Sequence, residues 1–316
     1  METDTTPHAE VLELQVELRS WRDTAIRAAR DAGARLVATG SSPMPVEPTL
    51  VRDARYEVVA ERYGLTASEQ LTCGCHVHVS VASLDEAVGV LDRIREWLPV
   101  LLALSANSPF WQGADSGYAS YRSQALTRWP SAGPGDVLGS AKAYRDRVTA
   151  MVATGVILDE EMVYADARAS HRYPTVEIRA ADVCLDVRDT VLLAAICRGL
   201  VDTAARQWYA GDPPISTPTG LLRLAGWQAG RDGIGGQLLD PLTSRPRPAR
   251  EVIARLLGHI EPALRANGDH DLVTERVETL WARGNGAVVQ RAVLERTGRL
   301  EDVVAELARV TAGQQD

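Results

Sequence analysis

The stretch Thr72-Cys73-Gly74-Cys75-His76-Val77-His78-Val79-Ser80-Val81 decides the fold class. Successive side chains on a strand point to opposite sides, and the alternation here predicts a strand over residues 72–81. Thr72, Gly74, His76, His78 and Ser80 fall on one face, and Cys73, Cys75, Val77, Val79 and Val81 on the other. The two histidines therefore point away from the two cysteines, and one strand cannot aim all four at a single zinc ion. Cys73 and Cys75 are expected to pack as small apolar side chains.

Two further segments, 162–169 and 175–183, read as strands with the same polarity. Tyr164, Asp166 and Arg168 alternate with Val163, Ala165 and Ala167, while Thr175, Glu177 and Arg179 alternate with Val176, Ile178 and Ala180. Paired in register, these strands give one apolar face for helices to cover and one face carrying His, Asp, Glu and Arg. Such a face is either simply solvated, as antiparallel sheets often are, or a surface for metal and phosphate.

The remaining chain supplies helices. Val11, Leu12, Leu14, Val16, Leu18, Trp21 and Ala25 recur at helical spacing over 9–32, with Gly33 as the stop. Residues 35–39 read as a short strand. Ser83 and Glu86 form a capping box that opens a helix running to Trp97, which Pro99 breaks or kinks. Residues 113–134 read as a long functional loop, and 141–153 as a helix. After Asp186 the chain reads as helical, interrupted by GDPPIS, by 230–236 and by LTSRPRP. No internal repeat occurs. The pattern predicts an α+β fold with an antiparallel sheet as platform. We expect one domain over 1–316, mixed over 1–185 and helical over 186–316.

Composition narrows the function. The 316 residues are 45% hydrophobic and 24% charged, as in a globular protein, and the net charge of -8 argues against a general nucleic-acid binder. Arginine outnumbers lysine and suits phosphate and carboxylate forks. No apolar run approaches the roughly 18 residues of a membrane span. The start, METDTTPHAE, is acidic and polar where a signal peptide needs a basic region and an apolar core. Four cysteines are too few for a disulfide scaffold. These features predict a cytoplasmic protein.

CGCHVHVSV, LLALSANSPFWQGADSGYASYRS, RWPSAGP and YADARASHRYPTVEIRAADV follow one another in an order and spacing that closely resemble the glutamate–cysteine ligase type 2 family of carboxylate–amine ligases. WQAGRDGIGGQLLDPLTSRP and GNGAVVQRAVLERTGRLEDVV resemble that family's helical carboxyl-terminal part. The resemblance implies a glutamine-synthetase/guanido-kinase-like catalytic sheet. It also implies a reaction: ATP phosphorylates a carboxylate, typically the γ-carboxyl of glutamate, and an amine such as that of cysteine attacks the acyl phosphate. The implied cofactors are ATP with Mg2+ or Mn2+, and the implied partners are small molecules, with no nucleic acid and no membrane.

The resemblance also assigns residues. His76 and Glu177 match metal ligands, and Glu2 matches a second metal carboxylate. Arg122 and Arg179 are the implied catalytic cations, with a structural arginine pinning its loop as the alternative for Arg122. His78, Arg168, Arg231 and Arg291 are implied near the cofactor; for Arg168 and Asp166 the alternative is an ion-paired surface residue. His8, His171, His259 and His270 are expected on solvated surface. Family members carry a GVEEE-type strand near their start, which has no counterpart here, so the chain is expected to be a late start of a longer protein. The alternatives are a missing strand supplied by another chain, and a degenerate member or partner-dependent subunit that binds ligand without turnover; a homo-oligomer or a partner chain is the corresponding assembly. A metal-dependent hydrolase built on His76 and His78 is disfavoured by the lack of an H-E-x-x-H spacing.

Overall fold

The computed structural model describes residues 3–314. The chain runs from helix α1 (Val11–Asp31) through α2 (Ala54–Tyr63) and the single turn α3 (Leu65–Ser68) to strand β1 (Val77–Ser80). Helix α4 (Leu84–Ile94), a 3-10 turn (Arg95–Trp97) and α5 (Leu98–Ser105) then follow almost without a break. Next come β2 (Phe110–Trp111), β3 (Ala114–Asp115), α6 (Tyr121–Leu126) and α7 (Ala141–Ala153). Strands β4 (Ala167–Ala169) and β5 (Thr175–Ile178) precede α8 (Val187–Ala210) and α9 (Thr219–Asp232). The hairpin β6 (Gln237–Leu239) and β7 (Pro246–Pro248) leads into α10 (Ala249–Ala266), α11 (His270–Arg283), α12 (Gly286–Thr297) and α13 (Leu300–Thr311).

Helix α8 organises the core. Val191, Leu192, Ala195, Ile196, Leu200 and Ala204 recur every three or four residues and are buried, and α1, α4, α10 and α11 pack around them. Helix α4 lies close enough that a Cβ at Gly89 would overlap the Trp208 ring, with Nε1 only 2.7 Å away. Its start is the expected capping box, with one shift. The Ser83 hydroxyl accepts from the Glu86 N–H at 3.1 Å, and the Glu86 carboxylate accepts from the N–H of Ala82 at 2.7 Å, one residue earlier than the usual pattern.

β5 is the centre of a three-stranded antiparallel sheet with β1 on one side and β4 on the other. Val77, Val79, Ala167, Ala169, Val176 and Ile178 face the helical core, so the alternation predicted for these residues holds. The fold is therefore mixed helix and sheet, as expected.

Several boundaries differ. The ladder of β1 covers only Val77–Ser80 of the predicted 72–81, with an isolated bridge joining Gly74 to Asp182. Val77 pairs with Ile178, so three steps on one strand match four on the other: a bulge of one extra residue ends β5 before the expected 183. Residues 160–162 form a 3-10 turn, and β4 begins only at Ala167. Residues 35–39 form no strand, because the Ala38 N–H bonds to the Thr311 hydroxyl at 2.9 Å instead of to a ladder. Pro99 occupies the first turn of α5, where its missing N–H costs nothing, so the chain turns there but stays helical. Within the predicted loop 113–134, Ser120 caps α6. In the helical half, Asp240 closes the β6–β7 hairpin by accepting from Leu242 N at 3.0 Å. Cys75 packs on the core as expected, but Cys73 is exposed. His259 is half-buried and stacks on Trp97 at 5.2 Å, so it is not a solvated surface residue. Among the described residues, no helix is long and apolar enough to cross a membrane.

Candidate active site

The polar face of the sheet is arranged in rows. His78, Glu177 and Arg168 are register partners across three strands. The Glu177 carboxylate, 3% exposed, accepts from Arg168 Nε at 2.7 Å through Oε2 and from Arg179 Nη1 through Oε1. His76 Nδ1 lies 3.4 Å from the same Oε1 and 3.5 Å from Arg179 Nη1, and His78 Nε2 lies 4.0 Å from Oε1. His78 also meets the Thr175 hydroxyl at 2.9 Å. Arg168 has its own anchors in the carbonyls of Glu161 and Val163, at 3.0 and 3.1 Å. Five predicted residues, His76, His78, Arg168, Glu177 and Arg179, are thus brought together.

Arg122 joins them from α6. It is 3% exposed, and its guanidinium donates to the carbonyls of Ala180 and Arg179, both at 3.4 Å. Its Nη1 is 3.5 Å from Asp182. Asp182 is wholly buried and acts as a hub. One oxygen accepts from the Asn107 N–H (2.9 Å) and the Ser108 hydroxyl (2.7 Å), and the other from the Ser120 hydroxyl (2.9 Å). Asn107 in turn bonds the carbonyls of Ala38 and Val183 and accepts from Gln290. The Ser-Ala-Asn-Ser run and the Tyr-Ala-Ser-Tyr-Arg run therefore meet at one carboxylate placed by the bulge. Sequence reasoning missed Asp182, because nothing in A-A-D-V marks it locally.

Charge in this cluster is finely divided. Burial works against ionisation of Glu177, yet the Arg168 hydrogen bond and the Arg179 and Arg168 charges hold its carboxyl down to about 2. Burial, reinforced by Arg179, pushes His76 down to about 3, so its imidazole is neutral at physiological pH. Burial likewise lowers His78. The result is a buried carboxylate and neutral imidazoles set beside guanidinium groups. It is a surface suited to anions, and each neutral imidazole carries one nitrogen lone pair.

Arg231 and Arg291 lie apart from this cluster and clasp one loop. Arg231 donates to the Gly117 carbonyl and stands 5.5 Å over the Tyr118 ring. Arg291 forks onto Asp115 at 2.9 and 2.7 Å and reaches the Tyr118 carbonyl at 2.9 Å. Glu2 lies outside the described residues. Among the described residues, no three His, Cys, Asp or Glu side chains form a ready metal cage.

The fold and site define an α+β protein with an antiparallel sheet whose polar face gathers arginines, a carboxylate and imidazoles. Comparison with known proteins makes this specific. The profile described as "Glutamate-cysteine ligase family 2 (GCS2)" matches residues 1–306. A Streptomyces avermitilis protein named "Putative glutamate--cysteine ligase 2-1" is 54% identical over 313 residues, covering 99% of this chain and 86% of the relative. A Streptomyces coelicolor protein named "Putative glutamate--cysteine ligase 2" is 53% identical, covering 98% of this chain and 86% of its own. A Frankia alni protein named "Putative glutamate--cysteine ligase 2-2" is 51% identical, over 98% of this chain and 81% of its own. The chain belongs to the glutamate–cysteine ligase family 2.

Proposed function

We propose that this chain is an ATP-dependent carboxylate–amine ligase. It joins the γ-carboxyl of glutamate to the amine of an amino acid such as cysteine through an acyl phosphate. The observation that carries the reading is the convergence of Arg122 and Arg179 on the face that holds Glu177 and His76. Phosphoryl transfer needs little covalent help from a protein; positioning and charge stabilisation supply most of the rate. Guanidinium groups fixed beside the sheet serve both, since they need no reorganisation as charge develops. We read the face as a catalytic sheet of the glutamine-synthetase/guanido-kinase kind, within a single domain working in the cytoplasm.

Magnesium or manganese fits this face in part. Mg2+ is usually held by one or two carboxylates together with substrate phosphates and water. Glu177, with lone pairs beyond those its arginines use, and the neutral His76 would hold such an ion; Glu2, which the family resemblance implies as a further ligand, lies outside the described residues. The ion would supply charge neutralisation at the triphosphate. Arg179 and Arg122 orient the phosphoryl group and the carboxylate, Arg168 fixes the Glu177 carboxylate, and His78 positions the strand pair through Thr175. Arg231 and Arg291 hold the 113–118 loop that borders the nucleotide.

The test is ADP release by the purified chain with ATP, Mg2+ and paired amino acids. The reading requires release that depends on both a carboxylate and an amine substrate. Release only after adding a second protein would assign a partner-dependent subunit, and no release with any pair or added protein would remove the ligase reading.

A further inference from the structure

The start of α12, Asn285-Gly286-Ala287-Val288-Val289-Gln290, lies against the Ser-Ala-Asn-Ser run at the end of α5. The Asn285 amide donates to the Ala103 carbonyl at 3.0 Å, and the Ala287 N–H to the Ala106 carbonyl at 3.0 Å. Gly286 is small for a reason of space, since a Cβ there would overlap the Asn107 carboxamide. Gln290 stands one turn further along the same side of α12 and is 1% exposed. Its Nε2 donates to Asn107 Oδ1 at 2.7 Å and to the Asn107 carbonyl at 3.2 Å, with the Thr39 hydroxyl 3.4 Å away.

The amide orientations along this row are forced. Asn107 Nδ2 donates to the carbonyls of Ala38 at 3.0 Å and Val183 at 2.8 Å, so Oδ1 must face Gln290. Gln290 must then present its amino group, and its Oε1 is left buried without a hydrogen bond among the described residues. A leucine at this place would avoid that cost, so the glutamine is explained by what its Nε2 holds. From Asn107 the row runs on to the sheet. The Asn107 N–H donates to Asp182 at 2.9 Å while its side chain holds the carbonyl of Val183, fixing Asp182 by carboxylate and backbone together. Asp182 faces Arg122 Nη1 at 3.5 Å, and Ser108, the neighbour of Asn107, accepts from the Arg122 N–H at 3.1 Å. The other bonds of that guanidinium are long, 3.4 Å each, and its Nε is buried without a hydrogen bond among the described residues. Asp182 is therefore the contact that sets where Arg122 lies.

Resting on the reading of Arg122 as a cation of the ligase site, we propose that Gln290 is a positioning residue for it. Gln290 acts on the guanidinium through Asn107 and Asp182 rather than by contact. Loss of its donor leaves Asn107 Oδ1 unpaired, the carboxamide turns, and Asp182 shifts with the chain that carries it. A displacement of about 1 Å at a reacting group costs on the order of 100-fold in rate, so a distant amide can govern turnover. The next residue, Arg291, clasps Asp115 and the Tyr118 carbonyl. One turn of α12 thus fastens the buried arginine on one side and the 113–118 loop on the other.

Two variants of the full chain test this. Gln290→Met removes the donor at nearly constant volume, and Gly286→Ala presses on the same carboxamide from one turn away; either decides if the other fails to fold. The readout is the rate at which phenylglyoxal, an arginine reagent, modifies Arg122, followed by peptide mass spectrometry well below each melting temperature. Arg168, also buried but held by Glu177 and outside the row, is the internal reference. Each variant is expected to raise the Arg122 rate on the order of tenfold by local opening while the Arg168 rate stays unchanged. The kcat for ADP release is expected to fall on the order of 100-fold. An unchanged Arg122 rate, a parallel rise at Arg122 and Arg168, or a freed Arg122 with undiminished kcat overturns the proposal. A selective Arg122 response in a protein whose wild type releases no ADP sinks the ligase reading and leaves the positioning row standing.

Discussion

The guanidinium of Arg122 fills the space that a side chain at Gly74 would occupy: a Cβ there would lie 2.8 Å from Arg122 Cζ. Gly74 sits where the strand bridges Asp182, so the absence of a side chain in the Cys-Gly-Cys-His run and the buried arginine of α6 are two parts of one feature.

Gly74→Ala should therefore act on Arg122. The guanidinium is held by Asp182 and two carbonyls and cannot swing away freely. The overlap should cost about 1–3 kcal/mol of stability and lower ADP release far more than the melting temperature suggests. Urea unfolding and steady-state rates on one preparation check this; a fully active Gly74→Ala protein would refute it.

Asp182→Ala should be among the most damaging single changes in the chain. It strands the Asn107 N–H, two serine hydroxyls and the charge of Arg122 in a buried site. A loss of about 3–5 kcal/mol is expected for uncovering such groups, read from denaturant midpoints. Asp182→Asn should recover part of the stability but little of the activity, because the amide lacks the charge facing Arg122.

Glu177→Gln should destabilise the sheet by a comparable amount, about 3–5 kcal/mol, by leaving buried cations uncompensated. Pairing Glu177→Leu with Arg168→Met should cost less than the sum of the single changes, since both members of the 2.7 Å pair leave together. Additive losses in a double-mutant cycle would show the pair to be uncoupled.

Asp166→Asn should stabilise the protein at neutral pH. With its folded pKa pushed up to about 6, above the ordinary carboxyl value of 3.8, Asp166 binds its proton more tightly in the folded state. Its contribution favours the fold below about pH 4 and is lost as pH rises through about 6, against the charges of Arg122 and Arg223. At pH 7.5 the asparagine variant should be more stable by on the order of 2 kcal/mol, with no gain at pH 4. Thermal melts at the two pH values decide it; an equal difference at both would contradict the assignment.

What the sequence made legible follows from the range of each interaction. The 141–153 helix and the Ser83–Glu86 cap depend on neighbours a few residues apart, and both appear where expected. The shared face of His76, His78, Glu177 and Arg179 follows from a period of two, which needs no knowledge of the partner strand. The bulge between Gly74 and Asp182 is a one-residue slip in pairing, which alternation along a single strand does not encode. Residues 35–39 read as a strand because their backbone bond to Thr311 comes from the far end of the chain. Arg231 and Arg291 stand out in the sequence only through the family resemblance, and their common task of clasping the loop around Tyr118 emerges only once distant helices have packed.

The central claim is that the carboxylate is activated as an acyl phosphate on the face built by Arg122, Arg179 and Glu177. Turnover of ATP with glutamate carrying 18O in its γ-carboxyl, together with cysteine, tests it most directly. The account predicts that each phosphate released carries one 18O, because the activated oxygen leaves with phosphorus. Unlabelled phosphate formed alongside the amide product would contradict it.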